Sequence, residues 1–331
     1  MSSPSRAGAQ PPLPQASSLP QASPLPPVPG PEQAARELVT LRDLIRWSCS
    51  RMAAAGVSLG QGTESLRDEA TWLALWALRL ALDDPEPHLD ARLMTAEREA
   101  IAALVERRCV ERLPTAYLTG EAWLRGLRFR ADPRALIPRS LLVEALDGAL
   151  DPWLPDDPPA SVLDLCTGGG SIAVAAALRF AQASVSATDL SADALALAAE
   201  NLALHGLEDR VTLHQGDLYD GLAAARHELI LSNPPYVNAA SMAALPAEYR
   251  HEPQQALAGG PDGMHLIARI LREAPERLAR QGLLVIEIGH EARHFEAAFP
   301  GLEFAYVPVS AGEEMIVAIS REALTAWKRA P

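Results

Sequence analysis

Residues 161–170 confine this chain to a small set of folds. Ser161-Val162-Leu163-Asp164-Leu165 is an apolar run of strand length that passes directly into Cys166-Thr167-Gly168-Gly169-Gly170 and an alanine-rich helical stretch, 171–180. A strand, a glycine turn and a helix start make the nucleotide-binding corner of a doubly wound α/β fold. Glycines let the backbone approach a ligand closely, and the helix start offers unpaired N–H groups. The next predicted strand, 184–188, ends in Asp189, placed to take two ribose hydroxyls. A third, 210–214, is followed by Gly216-Asp217, where an acid could reach an adenine amino group. Gly168 to Ala173 also fits G-x-G-x-x-A, the NAD fingerprint, and a ribose acid suits NAD and S-adenosylmethionine equally.

Asn233-Pro234-Pro235-Tyr236 separates the two ligands. It closes a fourth apolar run, 228–232, and its two prolines remove two donors and fix two φ angles, so the chain leaves the sheet rigidly. The Asn233 side-chain carbonyl and the carbonyl of Pro234 can accept both hydrogens of one planar NH2 group. Such a nitrogen is a poor nucleophile because its lone pair is delocalised, and holding both N–H bonds aims it at an electrophile. Tyr236 can cap the planar group with its ring. Standing alone, the tetrapeptide could be a proline turn after a strand. In this company it suits amino-group methylation, which a dehydrogenase does not perform.

Asp164 to Gly170 together with Asn233 to Tyr236 resembles the HemK-type N(5)-glutamine methyltransferases, which methylate a glutamine side-chain amide with S-adenosylmethionine. The nearer resemblance is to the branch acting on large-subunit ribosomal protein L-three. It is carried by Leu44-Ile45-Arg46-Trp47-Ser48, residues 111–119, Ile137-Pro138-Arg139-Ser140, Cys166 before Thr167, and Glu248-Tyr249-Arg250-His251-Glu252-Pro253. It spans about residues 35–320 and implies a class I S-adenosylmethionine-dependent, Rossmann-like methyltransferase with a small helical N-terminal domain. Residue by residue, it places Gly168 and Gly170 under the methionine part of the cofactor, Asp164 at its amino end and Asp189 on the ribose, with Cys166 and Thr167 in the same turn. Asp217 borders the adenine, and Leu218 stands where the release-factor branch often carries a stacking aromatic residue, so adenine packing is weaker or supplied from elsewhere. Asn233 and Pro234 hold the substrate amide, Pro235 fixes the turn and Tyr236 closes the site. Arg139 and the loop 252–263, beginning at Glu252, lie beside the pocket. The implied partner is a ribosomal protein, free or on an assembling large subunit, with neither DNA nor membrane involved.

The rest of the 331 residues is expected to divide into a disordered tail, 1–31, a helical substrate-recognition domain, 32–122, a hairpin linker, 123–139, and a methyltransferase domain, 140–331. The tail is rich in Pro, Ser, Ala and Gln and too poor in apolar bulk to offset its ordering entropy. Helices are predicted over 32–55, 68–82 and 95–113, the last starting at a Thr cap, and Trp47, Trp72 and Trp76 read as helix-packing core. A hairpin is predicted from 123–129 and 134–137, a helix over 264–281, a fifth strand over 282–289, and a closing pair over 302–309 and 313–320 with one antiparallel strand inserted near the edge.

Four further features bear on other readings. His290-Glu291-Ala292-Arg293-His294 spells the zinc-protease signature, but it follows a strand and spacing points to no third ligand, so no metal is expected. Cys49, Cys109 and Cys166 form no ligand-spaced cluster, which suits reduced thiols in a cytoplasmic protein. The longest apolar run, 72–82, is far short of the ~20 residues of a membrane span. A net charge of −13 argues against broad nucleic-acid binding, although the arginines between 125 and 139 could touch RNA. The rival readings are a release-factor glutamine methyltransferase, a DNA or RNA adenine amino methyltransferase, which shares the Asn-Pro-Pro-Tyr chemistry but wants a basic target-recognition region, and a non-catalytic ribosome assembly factor that has kept the fold.

Overall fold

A computed structural model describes residues 27–222 and 224–329. The expected tail lies outside the described residues as far as position 26, and the chain is helical from Pro31.

The N-terminal part packs α1 (Pro31–Glu37), α2 (Leu41–Ala54), α3 (Leu66–Leu78), α4 (Thr95–Val110) and the short α5 (Thr115–Thr119) around one apolar cluster that includes Leu41, Leu44, Trp47, Leu73 and Val105. The single helix expected over 32–55 is two, because Thr40 and Asp43 form a reciprocal cap. The Thr40 hydroxyl accepts from Asp43 N at 3.2 Å, and the Asp43 carboxylate accepts from Thr40 N at 3.0 Å. Helix α3 stops at Leu78 because Arg79 turns left-handed, at φ 57°. Helix α4 begins at Thr95, but its cap is Glu97, which accepts from Met94 N at 2.8 Å. Trp47 and Trp72 are buried in helix packing, as expected.

A two-stranded hairpin follows, β1 (Glu121–Leu124) and β2 (Leu127–Arg130), turning at Arg125-Gly126 where both residues have positive φ. The expected second arm, 134–137, is loop instead, since the tight turn returns the chain at once.

The C-terminal part is a seven-stranded sheet in the order β5-β4-β3-β6-β7-β9-β8. Its strands are β3 (Ser161–Leu165), β4 (Ser184–Asp189), β5 (Val211–Gln215), β6 (His227–Ser232), β7 (Leu278–Glu287), β8 (Ala305–Tyr306) and β9 (Ile316–Ser320). The first five are parallel, and β9 lies antiparallel between β7 and β8, as expected. Strand β7 begins at Leu278, earlier than predicted, because Leu278 pairs with His227 ahead of a bulge. Helices α6 (Leu142–Glu144), α7 (Ser171–Arg179) and α8 (Ala192–His205) come first in this part; α9 (Ala239–Ala244), α10 (His265–Arg277), α11 (Ala292–Ala298) and α12 (Arg321–Arg329) follow. One apolar layer sets Ile172, Val174 and Ala176 of α7 against Val162, Val185 and Leu229. The other sets Ile267, Ile270 and Leu271 of α10 against Leu163, Ile230 and Leu284. The chain runs outward from β3 to β5 and then returns to place β6 on the other side of β3. That reversal opens a crevice at the carboxyl ends of β3 and β6, where Leu165 pairs with Ser232.

A buried ionic cluster ties the two parts together. Arg108 of α4, 1% exposed, donates to Glu69 of α3 at 2.6 Å and to Glu248 of the second part at 3.2 Å. Glu248 Oε1 also accepts from Ser58 N at 2.9 Å and meets Arg112 at 2.8 Å. Removing one partner from such a cluster strands a buried charge. Glu248→Ala is therefore expected to destabilise the protein by about 3–5 kcal/mol. Denaturant unfolding checks this, and an unchanged midpoint would contradict it.

Candidate active site

The glycine turn after β3 is built from both neighbouring strands. Cys166 stands at φ 58°, a left-handed conformation unusual for a residue with a side chain, and Gly168 follows at φ 55°. Gly168 N–H donates to Asp189 Oδ2 at 2.8 Å, and Thr167 Oγ1 donates to Asp164 Oδ2 at 2.5 Å. The turn is thus held to β4 by one carboxylate and to β3 by another. Gly170 has a different use from the one expected. A Cβ there would lie 3.1 Å from the Ala198 side chain, so its lack of a side chain serves the packing of α7 on α8.

Of the expected cofactor residues, Cys166, Gly168, Asp189, Asp217 and Leu218 line one cavity with Asn233 and Pro235, while Asp164 and Thr167 are buried behind it. Asp189 Oδ1 also accepts from Ser191 N at 2.9 Å. Burial raises the Asp189 carboxyl above its ordinary range. Asp217 is not the open acid the sequence suggests, because Arg269 of α10 pairs with it at 3.0 Å. Leu218 takes a left-handed φ of 57°, and Leu190 and Leu266 supply further apolar lining that sequence reasoning did not single out.

Across Asn233 lies a wider groove of about 770 Å³, lined by Arg139, Pro234, Tyr236, Tyr249, Glu287 and Gly289 among others. Asn233 borders both spaces, and among the described residues its side chain has no hydrogen-bond partner. Arg139 and Glu252 meet in a two-pronged pair at 2.6 and 2.8 Å, with the Arg139 guanidinium over the Tyr249 ring. Glu252 also accepts from Gln61 of the helical part at 2.5 Å. Gln61 and Glu287 escaped sequence reasoning, and Tyr249 entered it only as part of the stretch 248–253, with no site role. The available signal for Glu287 was an acid ending a wholly apolar run, 283–286.

The protease-like motif straddles the start of α11. His290 lies in the turn before α11, His294 lies on the helix, and the carboxylate of Glu291 is taken by His294 and by Asn238 at 2.7 Å. Among the described residues no three His, Cys, Asp or Glu are placed to hold a metal ion. No described helix is long and apolar enough to cross a membrane.

The cavity fits S-adenosylmethionine in two respects. Among the described residues Asp164 Oδ1 is buried without a hydrogen-bond partner, although the Ala173 N–H lies near the carboxylate, and such an acceptor is suited to an ammonium group. At Gly168 a Cβ would meet nothing nearer than Ala135 at 4.0 Å, so the missing side chain leaves room for a ligand against the turn. Sheet order and crevice together define a class I S-adenosylmethionine-dependent methyltransferase, and residues 140–260 match the family model for the methyltransferase small domain. Curated relatives narrow this further. The ribosomal protein uL3 glutamine methyltransferase of Bordetella pertussis is 53% identical over 292 residues, covering 87% of this chain and 97% of its own. That of Burkholderia pseudomallei is 50% identical, covering 87% and 96%, and that of Neisseria gonorrhoeae 44% identical, covering 88% and 98%. The chain belongs to the family of ribosomal protein uL3 glutamine methyltransferases.

Gly289 is the seat of the Tyr236 ring. It holds φ 53°, and a Cβ there would lie 2.5 Å from Tyr236 Cε2. Gly289→Ala should therefore displace the ring, lowering the methyl-transfer rate about tenfold or more while S-adenosylmethionine affinity changes little. Single-turnover kinetics beside calorimetry check this; an unaltered rate would show that the ring's seat is unimportant.

Proposed function

We propose that this protein transfers a methyl group from S-adenosylmethionine to the side-chain amide nitrogen of a glutamine in ribosomal protein uL3, met free or on an assembling large subunit. The observation that carries this reading is the place of Asn233, at the end of β6, bordering both cavity and groove with an unpartnered side chain. The names of the relatives support the choice of substrate.

The residues of the cavity divide the work of holding the cofactor. Asp164 would take the ammonium group, Asp189 the ribose hydroxyls, and Leu190, Leu218 and Leu266 would wall the purine. Bound there, S-adenosylmethionine supplies an electrophilic methyl group on a sulfonium. Asn233 Oδ1 and the Pro234 carbonyl accept the two N–H bonds of the incoming amide. With both hydrogens held, the amide cannot rotate, and its weak lone pair faces the cavity. Pro234 and Pro235 keep the acceptors fixed, since neither residue can relax its φ. Tyr236 closes the groove against Gly289. An amide nitrogen that has gained a methyl group while still carrying both hydrogens is cationic and strongly acidic, so water in the groove takes one proton, the neutral N-methyl amide remains, and no side chain must act as a base.

An adenine acceptor suits this surface less well. Each arginine of the hairpin region is matched by a carboxylate: Arg125 by Asp147, Arg128 by Glu121, Arg130 by Glu200, Arg134 by Asp132 and Arg139 by Glu252. Arginines already neutralised in this way contribute little to phosphate binding.

Two outcomes test the reading. Removing one oriented acceptor costs about 3 kcal/mol, so Asn233→Ala should slow single-turnover methylation about a hundredfold with cofactor affinity retained. Asn233→Asp keeps an acceptor and should lose less. A wild-type rate in the alanine variant would remove the motif from the chemistry. The second outcome is a pH dependence of binding. Burial pushes the Asp164 carboxyl up to about 7, so below that pH the ligand-free protein carries a proton there. An ammonium partner favours the carboxylate, so binding expels the proton and affinity should climb as pH rises towards 7, at most about tenfold per unit. Calorimetry should find this slope flattened in Asp164→Asn. An equal slope in both proteins would take Asp164 away from the ammonium group.

A further inference from the structure

Glu287 ends β7 beside the amide clamp, because the pairing of Ser232 with Ile286 brings the next residues, Asn233 and Glu287, to the same level of the sheet. It is 4% exposed and lines the groove. Its hydrogen-bond partners are all neutral: Oε2 accepts from Ser140 Oγ at 2.6 Å and from Leu141 N at 2.9 Å, and Oε1 accepts from the Tyr236 hydroxyl at 3.0 Å. The neighbouring cation, Arg139, spends its two-pronged pair on Glu252. A carboxylate buried among neutral donors is costly to place, and a neutral residue of similar shape would satisfy the packing more cheaply. Burial raises its carboxyl above the ordinary range, as expected for a charge without a cationic partner of its own.

The surroundings of Tyr236 show what the cost secures. The ring lies on the bare backbone of Gly289, and the Tyr236 carbonyl approaches Gly263 so closely that a Cβ there would lie 2.2 Å from it. These contacts fix the backbone and one face of the ring. Tyr236 also lines the groove. Among the described residues, the hydroxyl bond to Glu287 is the one hydrogen bond of its side chain, and such a bond is directional. Through Ser140 and Leu141 the same carboxylate holds the turn that follows Arg139.

We propose that Glu287 is a positioning residue for methyl transfer: acting through Tyr236, it holds the wall against which the substrate amide lies. This rests on the reading of the groove as the entrance for that amide. The test is a double-mutant cycle in single turnover with uL3 as acceptor, with S-adenosylmethionine affinity measured by calorimetry on the same preparations. Glu287→Ala and Tyr236→Phe should each slow methyl transfer about tenfold with cofactor affinity unchanged, and the double variant should be no slower than the slower single variant, since both remove one bond. Glu287→Gln, which keeps an acceptor for the phenol, should recover part of the rate. A wild-type rate for Glu287→Ala, losses that multiply in the double variant, or cofactor affinity lost together with rate would each overturn the proposal. Asn233→Ala in the same assay separates the two levels: its failure to slow transfer would sink the reading of the groove, whereas a slow Asn233→Ala beside a fast Glu287→Ala would sink only the role given to Glu287.

Discussion

The pairing of β3 with β6 is the constraint on which the rest depends. Leu165 lies opposite Ser232, so the strands end together and release their chains into the same crevice. From β3 emerges the turn that lines the cavity, and from β6 emerges Asn233-Pro234-Pro235-Tyr236, the clamp proposed for the amide. Methyl transfer requires donor and acceptor to be brought into line, and here two backbone ladders set their separation before any side chain is counted. A one-residue slip of β6 would exchange the residues it gives to the two apolar layers and carry Asn233 out of step with Leu165.

A second level of order comes from the segment 247–257. Glu248 and Glu252 anchor it to Arg108, Gln61 and Arg139, and its later residues, Pro253, Gln255 and Ala256, border the cofactor cavity. One stretch of chain therefore touches the helical part, the groove and the cavity. Its anchors are buried ions, whose desolvation is repaid only with complete partners. That makes its position specific, since sliding it by one residue would leave charges stranded.

Much of the site could be read in the residues because its signals are local. The glycine turn after Leu165, the acid ending β4 and the proline-locked clamp each occupy consecutive positions whose chemistry does not depend on distant partners. What escaped detection depends on such partners. Nothing near Asp217 announces Arg269, fifty-two positions on, and nothing near Glu252 announces Gln61. Gly170 looked like a ligand contact and is a packing contact with Ala198, a distinction that requires knowing where α8 lies. In the helical part, the periodicity that suggested one helix over 32–55 was true of both pieces, and only the reciprocal Thr40 and Asp43 bonds reveal the break. The hairpin was misplaced for a similar reason, since Arg125-Gly126 closes it in two residues and leaves 134–137 without a partner strand.

The central claim is that the acceptor atom is a glutamine amide nitrogen. Mapping the product tests it most directly. Ribosomal protein uL3 from cells lacking the enzyme would be incubated with this protein and isotopically labelled S-adenosylmethionine, then digested and fragmented in a mass spectrometer. The account predicts one labelled methyl group on the side-chain nitrogen of a single glutamine. A label on lysine, on the chain terminus or on co-purifying RNA would contradict it, as would the absence of transfer to uL3 by protein shown to bind the cofactor.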